Sequence, residues 1–165
     1  MTSHASIAER ITFGRPVDAS DDIRPVRVAP RPATALVGRI LLSAIFLLSG
    51  SAKLSDPAGT LQHMNGAGIP AADIFLYVAA FAEILGGIAI LFGFLSRLAG
   101  IGLIIFLGIT TLVFHHFWTL TGQEQQQQMI NFMKNLAIIG GLFTLVAHGP
   151  GLYSVDARIR KPVEP

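Results

Sequence analysis

The sequence of 165 residues contains no cysteine, and only 13% of its residues are charged. The lack of cysteine excludes disulfides, iron–sulfur clusters and thiolate metal sites within this chain. Soluble domains have roughly 25% charged residues, and one of this length could not bury a chain that is 52% hydrophobic. The net charge is only +2, and no basic aromatic patch is present, so we do not expect nucleic-acid binding.

Four long apolar runs fill most of the chain, and Gly and Pro punctuate the gaps between them. Each run has about 19 to 24 residues, and roughly 20 are needed to cross a bilayer core. We therefore predict an all-α fold, an integral membrane four-helix bundle. The predicted spans are residues 36–54, 72–95, 98–119 and 129–148, and the glutamine-containing gap at 121–128 is predicted to be a polar interfacial turn.

The polar ends suggest three regions: a flexible tail at 1–33, the four-span membrane domain at 34–160 and a C-terminal tail at 161–165. The first tail has no apolar signal segment after its start, so we expect it to be retained. Arginine and lysine are concentrated in both tails, and Arg97 lies in the tight hairpin between the second and third spans. The positive-inside rule therefore places both termini and the central hairpin on the cytoplasmic side of the membrane.

Each span carries one stripe of small and polar residues, while its other faces are large and apolar. Small residues allow close helix contact, and polar ones need protein partners in hydrocarbon, so the four stripes should meet inside one bundle. The stripes are Arg39, Ser43, Phe46, Gly50 and Lys53; Ala79, Glu83, Gly86 or Gly87 and Ile90; Gly100, Ile104, Gly108, Thr111 and His115; and Asn131, Lys134, Asn135, Ile138 and Gly141.

Glu83 falls near the middle of the second span, where an ionised carboxylate costs roughly 2.5–3.5 kcal/mol. The nearest cations are Lys53 and Lys134. One hypothesis is a polar cavity open to the outer side, floored by Glu83 and walled by Lys53, His115 and Lys134. An equally weighted alternative is a structural ion pair that fixes the helix register.

Arg39 lies about one turn inside the cytoplasmic end of the first span. It could snorkel to the surface or form an ion pair with Asp156, beyond the last span. His115 and His116 are adjacent, and neighbouring residues of a helix point about 100° apart. A hydrogen-bonded role is therefore favoured over a shared metal, and no metal site is predicted.

Several of these residues stand in short motifs whose order and four-span setting resemble the DoxX family of small bacterial membrane proteins, over roughly residues 35–160. The motifs are Gly38-Arg39, SGSAKL at 49–54, AEILGG at 82–87, LFGF at 91–94 with Arg97, MKNLA at 133–137 and GPGLYSVD at 149–156.

The resemblance implies a four-helix inner-membrane protein, and the family takes its name from a subunit of a thiosulfate:quinone oxidoreductase. It suggests a membrane subunit or partner of a quinone-linked oxidoreductase rather than an autonomous enzyme. The sequence shows no haem or flavin motif, so the expected cofactor is a non-covalent quinone. The expected partners are the lipid bilayer and a redox enzyme, and a homo-oligomer is compatible with the sequence.

The candidate site residues combine the family's motif positions with the intramembrane polar groups. Glu83 and His115 are candidate proton relays, and Arg39 with Asp156 is the candidate structural ion pair. The candidate quinone or substrate ligands are Lys53, Glu83, His115, Lys134 and Asn135. The alternative function is a non-catalytic transporter, lipid-handling protein or assembly factor, and a purely structural scaffold is a third.

Overall fold

The computed structural model describes residues 32–159, so the predicted arginine-rich tail and the last residues, 160–165, lie outside the described residues. The described residues form six α-helices and one short 3-10 helix and contain no strand, which confirms the all-α prediction. The helices are α1 (Pro32–Ser55), α2 (Pro57–Gly66), α3 (Ala72–Phe92), α4 (Ser96–Phe114), a 3-10 turn (Phe117–Thr119), α5 (Gly122–His148) and α6 (Val155–Ile159).

Proline and glycine set most of the helix boundaries. Pro57 begins α2 directly after Asp56, whose carboxylate accepts a hydrogen bond from the Gly59 amide at 2.9 Å. Both features are common at the start of a helix. The aspartate accepts a hydrogen bond from a free amide, and proline lacks the N–H that would be unpaired there. Gly93 ends α3 with φ +67, and Gly149 ends α5 with φ +80, two backbone conformations that glycine adopts without steric cost.

Four helices, α1, α3, α4 and α5, are long and apolar enough to cross a membrane, as predicted. Two connections differ from the prediction. The first loop contains the ten-residue helix α2, and the predicted glutamine turn is helical, so α5 begins at Gly122 rather than 129. Glutamine is a good helix former, and the 27 residues of α5 extend about 40 Å at 1.5 Å per residue. That length exceeds the roughly 30 Å hydrocarbon core.

The helices pack in chain order, with α1 against α3, α3 against α4, and α4 against α5. All four contribute to one apolar core, which confirms the bundle. That core is formed by Phe46, Ile90, Leu103, Leu107, Leu142 and Leu145. A second, smaller core lies where α2 meets the start of α3 and includes Met64, Ala72 and Leu76, with Phe114 packed against it. We call this end of the bundle the α2 end, and the opposite one the α6 end.

Burial confirms four of the five predicted stripe residues of α1, with Lys53 only partly buried, and corrects the stripes of the other three helices. In α1 the buried residues are Arg39, Ser43, Phe46 and Gly50. In α3, Ala80 is buried in place of Ala79. Leucines replace some of the small residues in α4 and α5, because the α3–α4–α5 contacts are made largely by apolar packing. The buried sets there are Ser96, Gly100, Leu103, Leu107 and Thr111 in α4, and Asn135, Leu142 and Leu145 in α5.

The outward faces of the spanning helices are strongly apolar. Leu41, Leu48, Leu85 and Leu98 have 68%, 70%, 63% and 67% of their surfaces exposed. Exposure on this scale is unfavourable in water, whereas lipid chains solvate such side chains. The burial pattern therefore agrees with a protein whose solvent is the bilayer.

Glycines bring α1 and α3 into close contact. A Cβ atom on Gly50 would lie 2.7 Å from Ile84 Cγ1 and 2.8 Å from the Ala80 carbonyl oxygen. One on Gly87 of α3 would lie 3.3 Å from the Ser43 carbonyl oxygen of α1. Backbone atoms cannot move aside cheaply, so this contact requires glycine at Gly50.

Replacing Gly50 by alanine should lower the free energy of unfolding by about 1–3 kcal/mol, because the added methyl group overpacks the α1–α3 contact. The matched change Gly38→Ala lies on the same helix with no atom within 4 Å, so it should be neutral or slightly stabilising. Unfolding in detergent micelles by SDS, followed by circular dichroism, measures both. Equal losses would contradict the close contact.

Candidate functional site at the buried ionic groups

Lys53 and Glu83 form an ion pair between α1 and α3. Lys53 Nζ lies 2.7 Å from Glu83 Oε2, and the two side chains are 25% and 7% exposed. The lysine also donates a hydrogen bond to Ser49 Oγ at 2.8 Å. A nearly buried carboxylate in a spanning helix thus has a fixed cation, as its desolvation cost requires.

The direction of α1 explains why Lys53 reaches Glu83. Side chains of an α-helix tilt toward the helix N-terminus, so a lysine near the C-terminus of α1 extends back along the helix toward its middle. Ser49 stands one turn earlier on the same face and holds the ammonium group. The side chain therefore runs inward to the carboxylate and does not extend outward.

The structure pairs Glu83 with Lys53 and places the other candidate ligands elsewhere. Lys134 is exposed and donates to Asn131 Oδ1 at 3.1 Å. The buried Asn135 Nδ2 donates to Thr111 Oγ1 at 2.9 Å, joining α5 to α4. The Nδ1 atom of His115 lies 2.7 Å from Oε1 of Gln128. Of the predicted set, only Lys53 and Glu83 therefore contact each other.

A second ionic cluster lies at the α6 end. Arg39 is only 2% exposed, and its Nη2 donates to the carbonyl oxygen of Tyr153. The burial of Arg39 argues against snorkelling. Its ion pair with Asp156 stays a prediction: the guanidinium is close enough to be attracted by that carboxylate, but its Nε and Nη1 have no hydrogen-bond partner within residues 32–159. Gly93 makes room for this cluster, because a Cβ atom there would collide with Arg39 Nη1 and with Ser154.

Asp156 also caps α4, a role that the sequence did not suggest. Its carboxylate accepts hydrogen bonds from the Leu95 amide at 2.8 Å and from the Ser96 amide at 3.1 Å and hydroxyl at 2.8 Å. Its own amide donates to the Gly93 carbonyl at 2.8 Å. The carboxylate thus satisfies the first free N–H groups of α4 and complements the helix dipole. These bonds hold Leu95 in its strained conformation with φ +47.

A pocket of about 540 Å³ opens at the α2 end, between α2, the end of α4 and the start of α5. We call it the α2-end pocket. Its lining contains none of the four residues predicted to form a polar cavity. The lining residues are Gly59, Gln62, His63, Gly66, Ala67, Val113, Phe114, His116, Leu120, Glu124 and Gln128.

Sequence reasoning missed this pocket because α2 was read as a loop. Once α2 is a helix, its Gln62, His63 and Gly66 recur at helical spacing, which could have indicated a shared face. Within residues 32–159, no group of three or more His, Cys, Asp or Glu side chains is placed to hold a metal ion.

Comparison with known sequences points to one family. The family model described as DoxX matches residues 34–116. The chain is 35% identical over 130 residues to the inner membrane protein YphA of Escherichia coli, covering 79% of this chain and 93% of that protein. It is 37% identical over 126 residues to the inner membrane protein YqjF of the same organism, covering 76% and 92%.

A shorter similarity connects the chain to a Bacillus subtilis protein named "Putative oxidoreductase CatD". The two are 32% identical over 66 residues, which cover 40% of this chain and 48% of that protein. No solved structure matches the chain.

A double-mutant cycle should identify the partner of Glu83. Lys53→Met and Glu83→Gln, made singly and together, should show a coupling energy of about 0.5–3 kcal/mol in SDS unfolding, because each single change leaves the other group unpaired. Lys134→Met serves as the matched control, and its effect should add to that of Glu83→Gln within about 0.5 kcal/mol. Coupling to Lys134 instead would refute the pairing described here.

Removing the Asp156 carboxylate should be far more costly than removing an ordinary helix cap. Asp156→Ala should lower the free energy of unfolding by about 3–5 kcal/mol, because it removes a carboxylate that accepts three hydrogen bonds at the start of α4. Asp56→Ala, which removes the cap of α2, should cost about 1 kcal/mol. Similar costs in the same unfolding assay would show that the hydrogen bonds of Asp156 contribute no more than a single helix cap.

Proposed function

Because this chain belongs to the DoxX family of inner-membrane proteins, we propose that it is a membrane subunit or partner of a quinone-linked oxidoreductase. The observation that carries the proposal is the ion pair between Lys53 and Glu83. Ionisable groups inside spanning helices are expensive, and they commonly mark proton relays and ion pathways. The partial similarity to CatD, whose name includes an oxidoreductase activity, points the same way.

In this proposal Glu83 is the proton relay. Reduction of a quinone to a quinol consumes two electrons and two protons, and the partner enzyme supplies the electrons from its own substrate. Glu83 provides a proton-exchanging group on α3, and Lys53, which is partly exposed, balances its charge. The lysine is a positioning residue, since its bond to Ser49 holds the ammonium group beside the carboxylate.

The remaining predicted ligands have different parts in this proposal. Asn135 fixes α5 to α4 through Thr111, which is a structural role. His115 stays a candidate relay near the α2 end, held by Gln128. Lys134 is exposed on α5 and bonded to Asn131, so it is available to a partner protein or to lipid headgroups.

Glu83→Gln should lower quinone reduction by the native complex at least tenfold, since a positioned proton-transfer group typically contributes about 100- to 10,000-fold. The tagged full chain is purified from its own membranes in mild detergent. The eluate is analysed for co-purified dehydrogenases by mass spectrometry and assayed for reduction of a water-soluble quinone. The variant should still retain the partner enzyme.

The matched control is Asp73→Asn, which removes an exposed carboxylate from the first turn of the same helix and should leave the rate unchanged. If no redox enzyme or quinone co-purifies and the protein instead carries solutes or lipids across liposomes, the transporter or lipid-handling alternative replaces the proposal. Equal rates in wild type and Glu83→Gln would remove the relay role.

A further inference from the structure

The α2-end pocket is separate from the Lys53–Glu83 pair, and its lining favours one class of ligand. One wall is aromatic: the rings of His63 and Phe114 stack with their centroids 5.2 Å apart and their planes at 21°. Pockets for small ligands have volumes of about 300–1,000 Å³ and combine apolar walls with a few polar groups. The 540 Å³ pocket falls in this range.

The polar groups of the lining include two hydrogen-bond acceptors. Nδ1 of His116 lies 3.0 Å from the carbonyl oxygen of Val113. A carbonyl oxygen can only accept, so Nδ1 carries the hydrogen, and Nε2 is an acceptor whenever the ring is neutral. Glu124 adds a carboxylate acceptor. A ligand that complements these two groups must donate hydrogen bonds.

The charge of the pocket disfavours small anions. Its lining contains Glu124 but neither lysine nor arginine, so an anion would meet a like charge and no fixed cation. Like charges brought close together repel each other. The lining therefore disfavours a small anion and favours a neutral molecule with hydroxyl groups.

We propose that the α2-end pocket binds a flat, uncharged aromatic ring that carries hydroxyl groups. The ring stacks on the wall of His63 and Phe114, and its hydroxyl groups donate to His116 Nε2 and to the Glu124 carboxylate. The inference rests on the proposed function in one respect: the hydroxylated aromatic ring that the membrane supplies is taken to be the head group of a reduced quinone.

The sequence provides a built-in probe, because Trp118 is its only tryptophan. The indole lies beside the pocket, with its ring centroid 6.3 Å from that of His116. Labelling the full chain with 5-fluorotryptophan gives a single ¹⁹F resonance from this position. In lipid nanodiscs, titration with a short-chain alkyl hydroquinone should shift that resonance saturably. The matched dimethyl ether, which has no O–H donor, should bind at least tenfold more weakly.

Two variants with matched controls locate the site. Gly66→Leu places a side chain into the pocket from α2, and Gly140→Leu adds the same group at another glycine with no atom within 4 Å. His116→Leu removes an acceptor, and His148→Leu removes a histidine that also bonds a backbone carbonyl, at the α6 end. Each pocket variant should weaken hydroquinone binding about tenfold, as expected for the loss of a ligand hydrogen bond or of space, and each control should leave it unchanged.

Circular dichroism and SDS unfolding confirm that each variant is folded. A shift that rises linearly without saturation, or that is the same in Gly66→Leu, would mean partition into lipid only and would overturn the inference. Equal binding of the dimethyl ether would also overturn it. The titration needs neither turnover nor a partner enzyme. Saturable hydroquinone binding together with unchanged quinone reduction in Glu83→Gln would thus refute the proton-relay proposal alone. Reduced quinone reduction in Glu83→Gln without saturable hydroquinone binding would refute the pocket proposal alone.

Discussion

The architecture depends on the pairing of the two cations that α1 carries. Arg39 and Lys53 stand 14 positions apart in the sequence, which is about 21 Å along the helix at 1.5 Å per residue. Each would be costly if left unpaired in hydrocarbon. Lys53 meets Glu83 of α3, and Arg39 meets the C-terminal segment around Asp156. Between them Gly50 and Gly87 bring α1 and α3 into contact. The Lys53–Glu83 pair thus fixes the register of α1 against α3, and the hydrogen bond of Arg39 to Tyr153 ties α1 to the C-terminal segment.

The two ends of the bundle differ in their chemistry. At the α6 end, one carboxylate caps α4 and attracts a fully buried arginine, so this end is closed by internal hydrogen bonds. At the α2 end, the short helix α2 and the start of α5 surround a pocket with histidine and glutamine side chains. A polar, accessible pocket can bind ligands, whereas the internal hydrogen bonds of Asp156 mainly confer rigidity. The functional chemistry is therefore expected at the α2 end.

The Lys53–Glu83 pair and the α2-end pocket offer two complementary elements of membrane redox chemistry. In the proposals made above, the first is a proton-exchanging carboxylate inside the bundle and the second an aromatic site with hydrogen-bond acceptors. Met64, Ala72, Leu76 and Phe114 form the small core at this same end, where α2 packs against α3. Because Phe114 belongs to that core and also lines the pocket, the packing of α2 determines the shape of the pocket.

Much of the fold followed from the sequence alone, because hydrocarbon imposes a length and a polarity on each span. The four apolar runs, the buried stripe of α1 and the need of Glu83 for a cation were all predictable from the period of the helix and the cost of burying charge. For Arg39 the sequence left two alternatives open, extension to the membrane surface and a pair with Asp156. The sequence left open whether Lys53 or Lys134 pairs with Glu83, because both lysines can reach the depth of Glu83 in the membrane.

Only the tertiary structure decided that choice, since the answer depends on which helix faces α3. Lys53 stands on the face of α1 that packs on α3, whereas Lys134 lies on an exposed face of α5. The structure alone also showed that Asp156 caps α4 from 60 positions away, and that His63 stacks on Phe114 at one wall of the pocket. The hydrophobic periodicity of each span determines which side chains face the lipid and which face the bundle. Contacts between distant segments depend instead on how the helices pack around one another.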